Sequence, residues 1–145
     1  ITIENKEIED QILLKSGADE EYLRQLAGSG SGLMYMPIVR TMEEWEKVKE
    51  YDINVCAAEL IFDTADHPFA RPEFLKSLRE QGIAPWVNAI TLNDTDILSG
   101  GLDDNHAIAD GFDENWGRLM DMGFQILQTD WPALLRGYID RKYNL

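Results

Sequence analysis

Reactive side chains in this sequence gather at the ends of apolar runs. Lys15 closes Gln11-Ile12-Leu13-Leu14-Lys15, and Glu59 interrupts Val55-Cys56-Ala57-Ala58-Glu59-Leu60-Ile61-Phe62. Trp86 and Asn88 end Ile83-Ala84-Pro85-Trp86-Val87-Asn88-Ala89. A carboxylate among alanines, Leu60 and Ile61 needs a partner, because an unpaired buried charge is costly. Lys15 is the obvious one. If both face the same cavity they form a charged pair lining a pocket; a plain structural salt bridge would leave the same signature. Trp86 is either core or a wall for a substrate. Asp130, before Trp131-Pro132, either caps the next helix or contacts substrate.

The two histidines bear most directly on catalysis, since paired histidines are the usual acid and base near neutral pH. His67 and His106 each fall in a polar, Asp-rich loop with no apolar neighbourhood to fix a pose, so both read as surface residues. An independent hydrolytic site built from them and the neighbouring acids is a third, weaker reading. Asp103, Asp104 and His106 could hold a metal as a loop cluster, but no further ligand spacing supports it. No Ser-His-Asp or Cys-His arrangement is suggested.

The elements that must position these groups alternate regularly. Five apolar runs read as strands: 11–15, 33–39, 55–62, 83–89 and 124–128. Pro37 belongs at a strand end or a sheet edge, because it lacks a ladder donor. Helices are expected at 20–26, capped by Asp19; after Thr41, with Glu44 completing a capping box; at 73–81, stopped by Gly82; at 114–122; and from Pro132 through Tyr138. A long polar loop is expected from about Thr91 to Asp113. Gly28-Ser29-Gly30-Ser31-Gly32 looks like a linker but is too short for a domain boundary; it reads as a flexible βα-type connection and lacks the Lys-Ser/Thr ending of a phosphate-cradling loop. The repeat is βα, with right-handed crossovers between parallel strands. Pattern alone fits two architectures, a doubly wound open sheet or part of a (β/α)8 barrel, and the open sheet is the default. In either, reactive residues belong at the C-terminal strand ends.

The 145 residues form one domain, with 13 Lys and Arg against 27 Asp and Glu and a net charge of −14. That charge argues against nucleic acid or an anionic membrane surface as partner. No apolar stretch approaches the roughly 18 residues of a membrane span, and no signal peptide is visible. The lone Cys56 permits no internal disulfide and reads as a buried structural thiol. The chain begins Ile1-Thr2-Ile3 without an initiator Met, as expected of a processed or trimmed chain or a piece of something longer. The compartment stays open, a periplasmic or secreted one included.

The last two strands carry a resemblance. Ile83-Ala84-Pro85-Trp86-Val87-Asn88, then Gly123-Phe124-Gln125-Ile126-Leu127-Gln128-Thr129-Asp130-Trp131-Pro132, resembles the end of the glycerophosphodiester phosphodiesterase family. Gly100-Gly101-Leu102-Asp103-Asp104, Trp116, Met36-Pro37-Ile38 and Glu59-Leu60-Ile61-Phe62 are similar to a bacterial subgroup of it. The likeness runs from about Ile12 to Ile139 and rests on order and spacing, since no single motif is specific. It implies a TIM-type barrel and divalent-metal-dependent hydrolysis of a glycerophosphodiester to an alcohol and glycerol phosphate, with Mg or Ca as the metal. The family's His-Arg-Gly turn, its second His-Asp and its metal-binding carboxylates do not occur here. The resemblance therefore implies an α/β, incomplete (β/α) barrel of about five parallel units, the C-terminal portion only, with its metal ligands outside this chain. It carries over pocket residues alone: Lys15 near the phosphate, Trp86 against the glycerol, Glu59 and Asn88, with Asp130 as a turn or pocket residue.

The expectation is thus a phosphoric diester hydrolase in the longer parent protein and no catalysis by this chain alone. Its substrate would be a small phosphodiester. Two unpaired sheet edges would favour self-association, or pairing with the missing N-terminal segment. The alternative is a non-enzymatic α/β module that binds a ligand or a protein.

Overall fold

The computed structural model describes residues 6–93 and 95–145. The elements alternate as the sequence pattern requires: β1 (Leu13–Gly17), α1 (Glu20–Gly28), β2 (Met34–Val39), α2 (Met42–Lys49), β3 (Ala57–Leu60), α3 (Pro72–Glu80), β4 (Ala84–Asn88), α4 (Asp104–Asp110), α5 (Arg118–Met122), β5 (Ile126–Gln128) and α6 (Pro132–Tyr143). Local chemistry starts the early helices. The Asp19 carboxylate accepts from the backbone N–H groups of Glu21 and Tyr22 ahead of α1, and Thr41 and Glu44 form the expected capping box ahead of α2. Gly82 ends α3 at φ +77°, in the left-handed region open to glycine. The Gly28–Gly32 stretch follows α1 and leads into β2, so it is an αβ connection and not the βα one expected.

The five strands are all parallel and lie in the order β1-β2-β3-β4-β5. The order never reverses, unlike that of a doubly wound sheet. Side chains alternate between the two faces of a strand. On one face Tyr35, Val39, Ala58, Leu60 and Val87 join the apolar core with Leu23 of α1, Trp45 of α2, Leu75 of α3, Leu119 of α5 and Leu135 of α6. On the other, the register aligns Lys15 with Met36, and Ile38 with Glu59, Trp86 and Ile126. None of these six belongs to that core. The sheet is therefore covered by helices on one face.

Pro37 departs from expectation. It lies inside β2, between β1 and β3. The ladder to β3 accommodates it. Tyr35 bridges Val55, and pairing resumes with Ile38 opposite Glu59, so two β2 residues oppose three on the neighbouring chain. This is a bulge, the arrangement that tolerates a missing donor, and it sets the register that aims Glu59.

The polar stretch 91–113 is not all loop, since α4 forms within it. Past Phe112, the helix expected from Glu114 opens with a π-helical turn, Asp113–Gly117, before α5. That turn packs on α6. Tyr138 Oη donates to Asp113 Oδ1 at 2.5 Å, while Lys142 Nζ lies 3.2 Å from the Asp121 carboxylate. Burial and the bond to Asp113 push the Tyr138 pKa up. Desolvation pulls Lys142 down, but its bonds to Tyr138 and Asp121 outweigh this and raise it. A Cβ on Gly117 would lie 2.3 Å from Tyr138 Oη and 3.0 Å from Lys142 Nζ. Gly117→Ala is therefore expected to lower stability by about 2 kcal/mol in a urea titration, since the crowded hydroxyl must leave Asp113.

Candidate functional site

Four of the five site residues expected from sequence meet on the face opposite helices α1 to α6. Glu59 in β3 is 3 % exposed. Its Oε2 pairs with the Lys15 ammonium, and its Oε1 accepts from Asn88 Nδ2 at 2.6 Å. Asn88 Oδ1 in turn accepts from Trp86 Nε1 at 3.1 Å. Lys15 Nζ sits 5.4 Å from the centre of the Trp86 ring, within cation–π range. The chain of contacts spans β1, β3 and β4.

The geometry follows from strand alternation. Glu59 and Trp86 are register partners and so share a face, and Asn88, two residues on, returns to it. Lys15 reaches across β2 from a level below Glu59, because its own partner is Met36. A long flexible lysine can span that gap where an arginine fork would need closer alignment. The Lys15 side chain stays 36 % exposed, whereas the Glu59 side chain is 4 % exposed. The ammonium therefore sits between a buried carboxylate and an indole face, with one side to water. Such a group can still donate to an incoming polar or anionic ligand.

Asp130 does not join them. It lies after β5 with its side chain exposed, and its backbone N–H donates to Asp104 Oδ2 at 2.8 Å. Its carboxylate does not cap α6 either, because the cap position falls to Trp131 without a side-chain bond.

The loop acids divide into different roles. Asp103 caps α4, accepting from the His106 backbone N–H at 3.0 Å and from its ring Nδ1 at 2.9 Å. Asp104 is 2 % exposed. Its Oδ1 accepts from Trp116 Nε1 at 2.9 Å and Thr129 Oγ1 at 2.8 Å, and its own N–H donates to Ala89 O at 2.7 Å. Asp104 thus ties the end of β4, through its backbone N–H, to the end of β5, through its carboxylate, and fixes the rim beside Asn88. The cluster of Asp103, Asp104 and His106 considered as a metal loop does not converge. Among the described residues no group of three His, Cys, Asp or Glu does.

The histidines stand apart. His67 is half-buried, in place of the surface histidine expected. Its Nδ1 accepts from Phe69 N–H at 3.2 Å and caps a short 3-10 turn, while its ring packs 4.8 Å from that of Phe69. His106 is exposed on α4. Cys56 is half-buried, in place of the buried thiol expected. Sequence reasoning missed Asp104 as a structural hub. The Asp103-to-His106 spacing of an N-cap was the available signal.

A family model for a domain of unknown function, DUF4996, matches residues 35–139. The chain belongs to the DUF4996 family. The matched DUF4996 span opens in β2 and closes in α6, and it contains Glu59, Trp86, Asn88 and the Asp104 hub. Lys15, the cation of the site, lies before it. No curated protein matches the chain. Among the described residues no helix is long and apolar enough to cross a membrane.

Proposed function

We propose that the chain is the C-terminal part of a glycerophosphodiester phosphodiesterase-like (β/α) barrel, and that Lys15, Glu59, Trp86 and Asn88 wall its substrate pocket. The observation that carries this reading is their convergence in one chain of polar contacts on the face opposite helices α1 to α6. Sequential strand order with helices on one face is how a barrel wall is built, with its ligand at the C-terminal strand ends. Lys15 donates to a phosphate oxygen through N–H groups that Glu59 does not use. The Trp86 ring offers an apolar wall to the glycerol carbons. Asn88 holds the Glu59 carboxylate in place, and Glu59 in turn positions the ammonium.

The residues present do not fit a divalent metal. Glu59 is already engaged by Lys15 at one oxygen and by Asn88 at the other, and among the described residues no second carboxylate joins it. Metal carboxylates and an acid–base pair belong to further βα units, and the chain alone does not hydrolyse its substrate.

The test is an assay of glycerophosphocholine with added Mg2+ or Ca2+. This chain should be inactive. A longer natural protein that includes it should be active, and Lys15→Ala there should lower kcat/KM by about 10²-fold or more. Activity in neither protein favours a non-enzymatic binding module. Activity in this chain alone, abolished by His67→Ala, would overturn the reading.

A further inference from the structure

One polar side chain on the site's face has no partner of its own. Gln128 ends β5 and is the register partner of Asn88, as Ile126 is of Trp86. Register partners in a parallel pair share a face, so Gln128 stands beside Asn88 at the C-terminal end of the sheet. Leu127, one residue before it, pairs with Val87 and packs against the apolar core, which puts Gln128 on the opposite face. The Asn88 amide is engaged at both ends, by Glu59 and by Trp86. The half-buried Gln128 amide makes no hydrogen bond among the described residues, while its backbone carbonyl accepts from the Ala89 N–H at 2.8 Å and holds the strand end in place. A further strand beside β5 would take up backbone groups along the edge, whereas the Gln128 side chain stands over the sheet face.

We infer that Gln128 is a specificity-determining residue of the proposed pocket and that it reads the free hydroxyls of the glycerol moiety. The inference rests on the phosphodiesterase reading above. Lys15 and Gln128 belong to strands on opposite sides of β4, and the Lys15 ammonium lies 5.4 Å from the centre of the Trp86 ring. A ligand whose phosphate meets that ammonium and whose carbons lie along the indole directs its far end toward β5, about 4.8 Å beyond β4. There the glutamine amide offers two N–H donors and a carbonyl acceptor, which a hydroxyl, itself donor and acceptor, completes. A plain alkyl chain in the same place would close the amide off from water without a partner. A site that hydrogen-bonds a substrate hydroxyl rejects analogues lacking it for that reason. In Phe124-Gln125-Ile126-Leu127-Gln128 the two glutamines look alike, and only the register with β4 singles out Gln128.

The experiment is an NMR titration of the full chain with two probes: glycerol 3-phosphate, and n-propyl phosphate, which has the same three carbons without hydroxyls. Shifts at Lys15 and Trp86 report the pocket, and those of the Gln128 side-chain amide report the contact. The wild type should bind glycerol 3-phosphate about tenfold more tightly than n-propyl phosphate, with the Gln128 Nε2–H resonances moving for the first probe alone. Gln128→Met, close to isosteric and checked for folding by circular dichroism, should bring glycerol 3-phosphate down to the affinity of n-propyl phosphate. Equal affinity for the two probes in the wild type overturns the inference and leaves the phosphate pocket standing. So does a Gln128 amide that does not move, or a preference that survives Gln128→Met. Binding of neither probe overturns the pocket itself, and this inference with it.

Discussion

Lys15→Met is expected to lower the unfolding free energy by about 3 kcal/mol in a urea titration near neutral pH. The reason is the asymmetry of the pair. Glu59 is buried, while its partner keeps a side in water. Removing the ammonium leaves the buried carboxylate with Asn88 as its one remaining donor among the described residues. Breaking a buried pair from one side costs about 3–5 kcal/mol, and partial access of water to the Lys15 position sets the low end. The double variant Lys15→Met with Glu59→Gln should recover most of the loss, since a neutral amide needs no counter-ion. Glu59→Gln alone should cost less than Lys15→Met, because the unpaired lysine can turn toward solvent. Equal losses from the two single variants, without recovery in the double, would show that the pair does not carry the burial of Glu59.

The second large effect belongs to Asp104. Its carboxylate accepts from the Trp116 indole, the Thr129 hydroxyl and the Asp130 backbone. Asp104→Ala is expected to cost about 4 kcal/mol. Hydrogen bonds to a charged acceptor contribute about 1.5–3 kcal/mol each and do not add fully. The truncation also strands the Nε1–H of Trp116, a residue with no exposed surface. Asp104→Asn should recover only part of this loss, because its amide turns one acceptor into a donor facing other donors. Denaturant midpoints of the two variants check the order. A loss below about 1 kcal/mol for Asp104→Ala would mean that the rim is held by packing alone. Hydrogen exchange at the Asp130 amide should also accelerate in Asp104→Ala, because its acceptor is gone.

Much of the site was legible in the chain. A glutamate among small and branched apolar residues demands a cation, and one strand ends in a lysine, so the Glu59–Lys15 pairing follows from desolvation cost. Trp86 and Asn88, two apart in a strand, share a face by alternation. The caps at Asp19 and Thr41 were equally readable, because their partners lie within one helical turn.

What stayed hidden depends on distant partners. Asp104 reads as a solvated loop acid, since its donors at Trp116 and Thr129 stand 12 and 25 residues away. Helix α4 is short and polar, and its buried members are Asp104 and Ala107, so no apolar stripe announced it. Pro37 reads as a strand end until β3 supplies the bulge opposite it. The alternation of strands and helices is the same for a sheet wound in one direction and for one wound in two. Only the packing of every amphipathic helix against the same face, where Tyr35, Val39, Leu60 and Val87 offer the apolar surface, decides between them and leaves the other face free for Lys15 and Glu59.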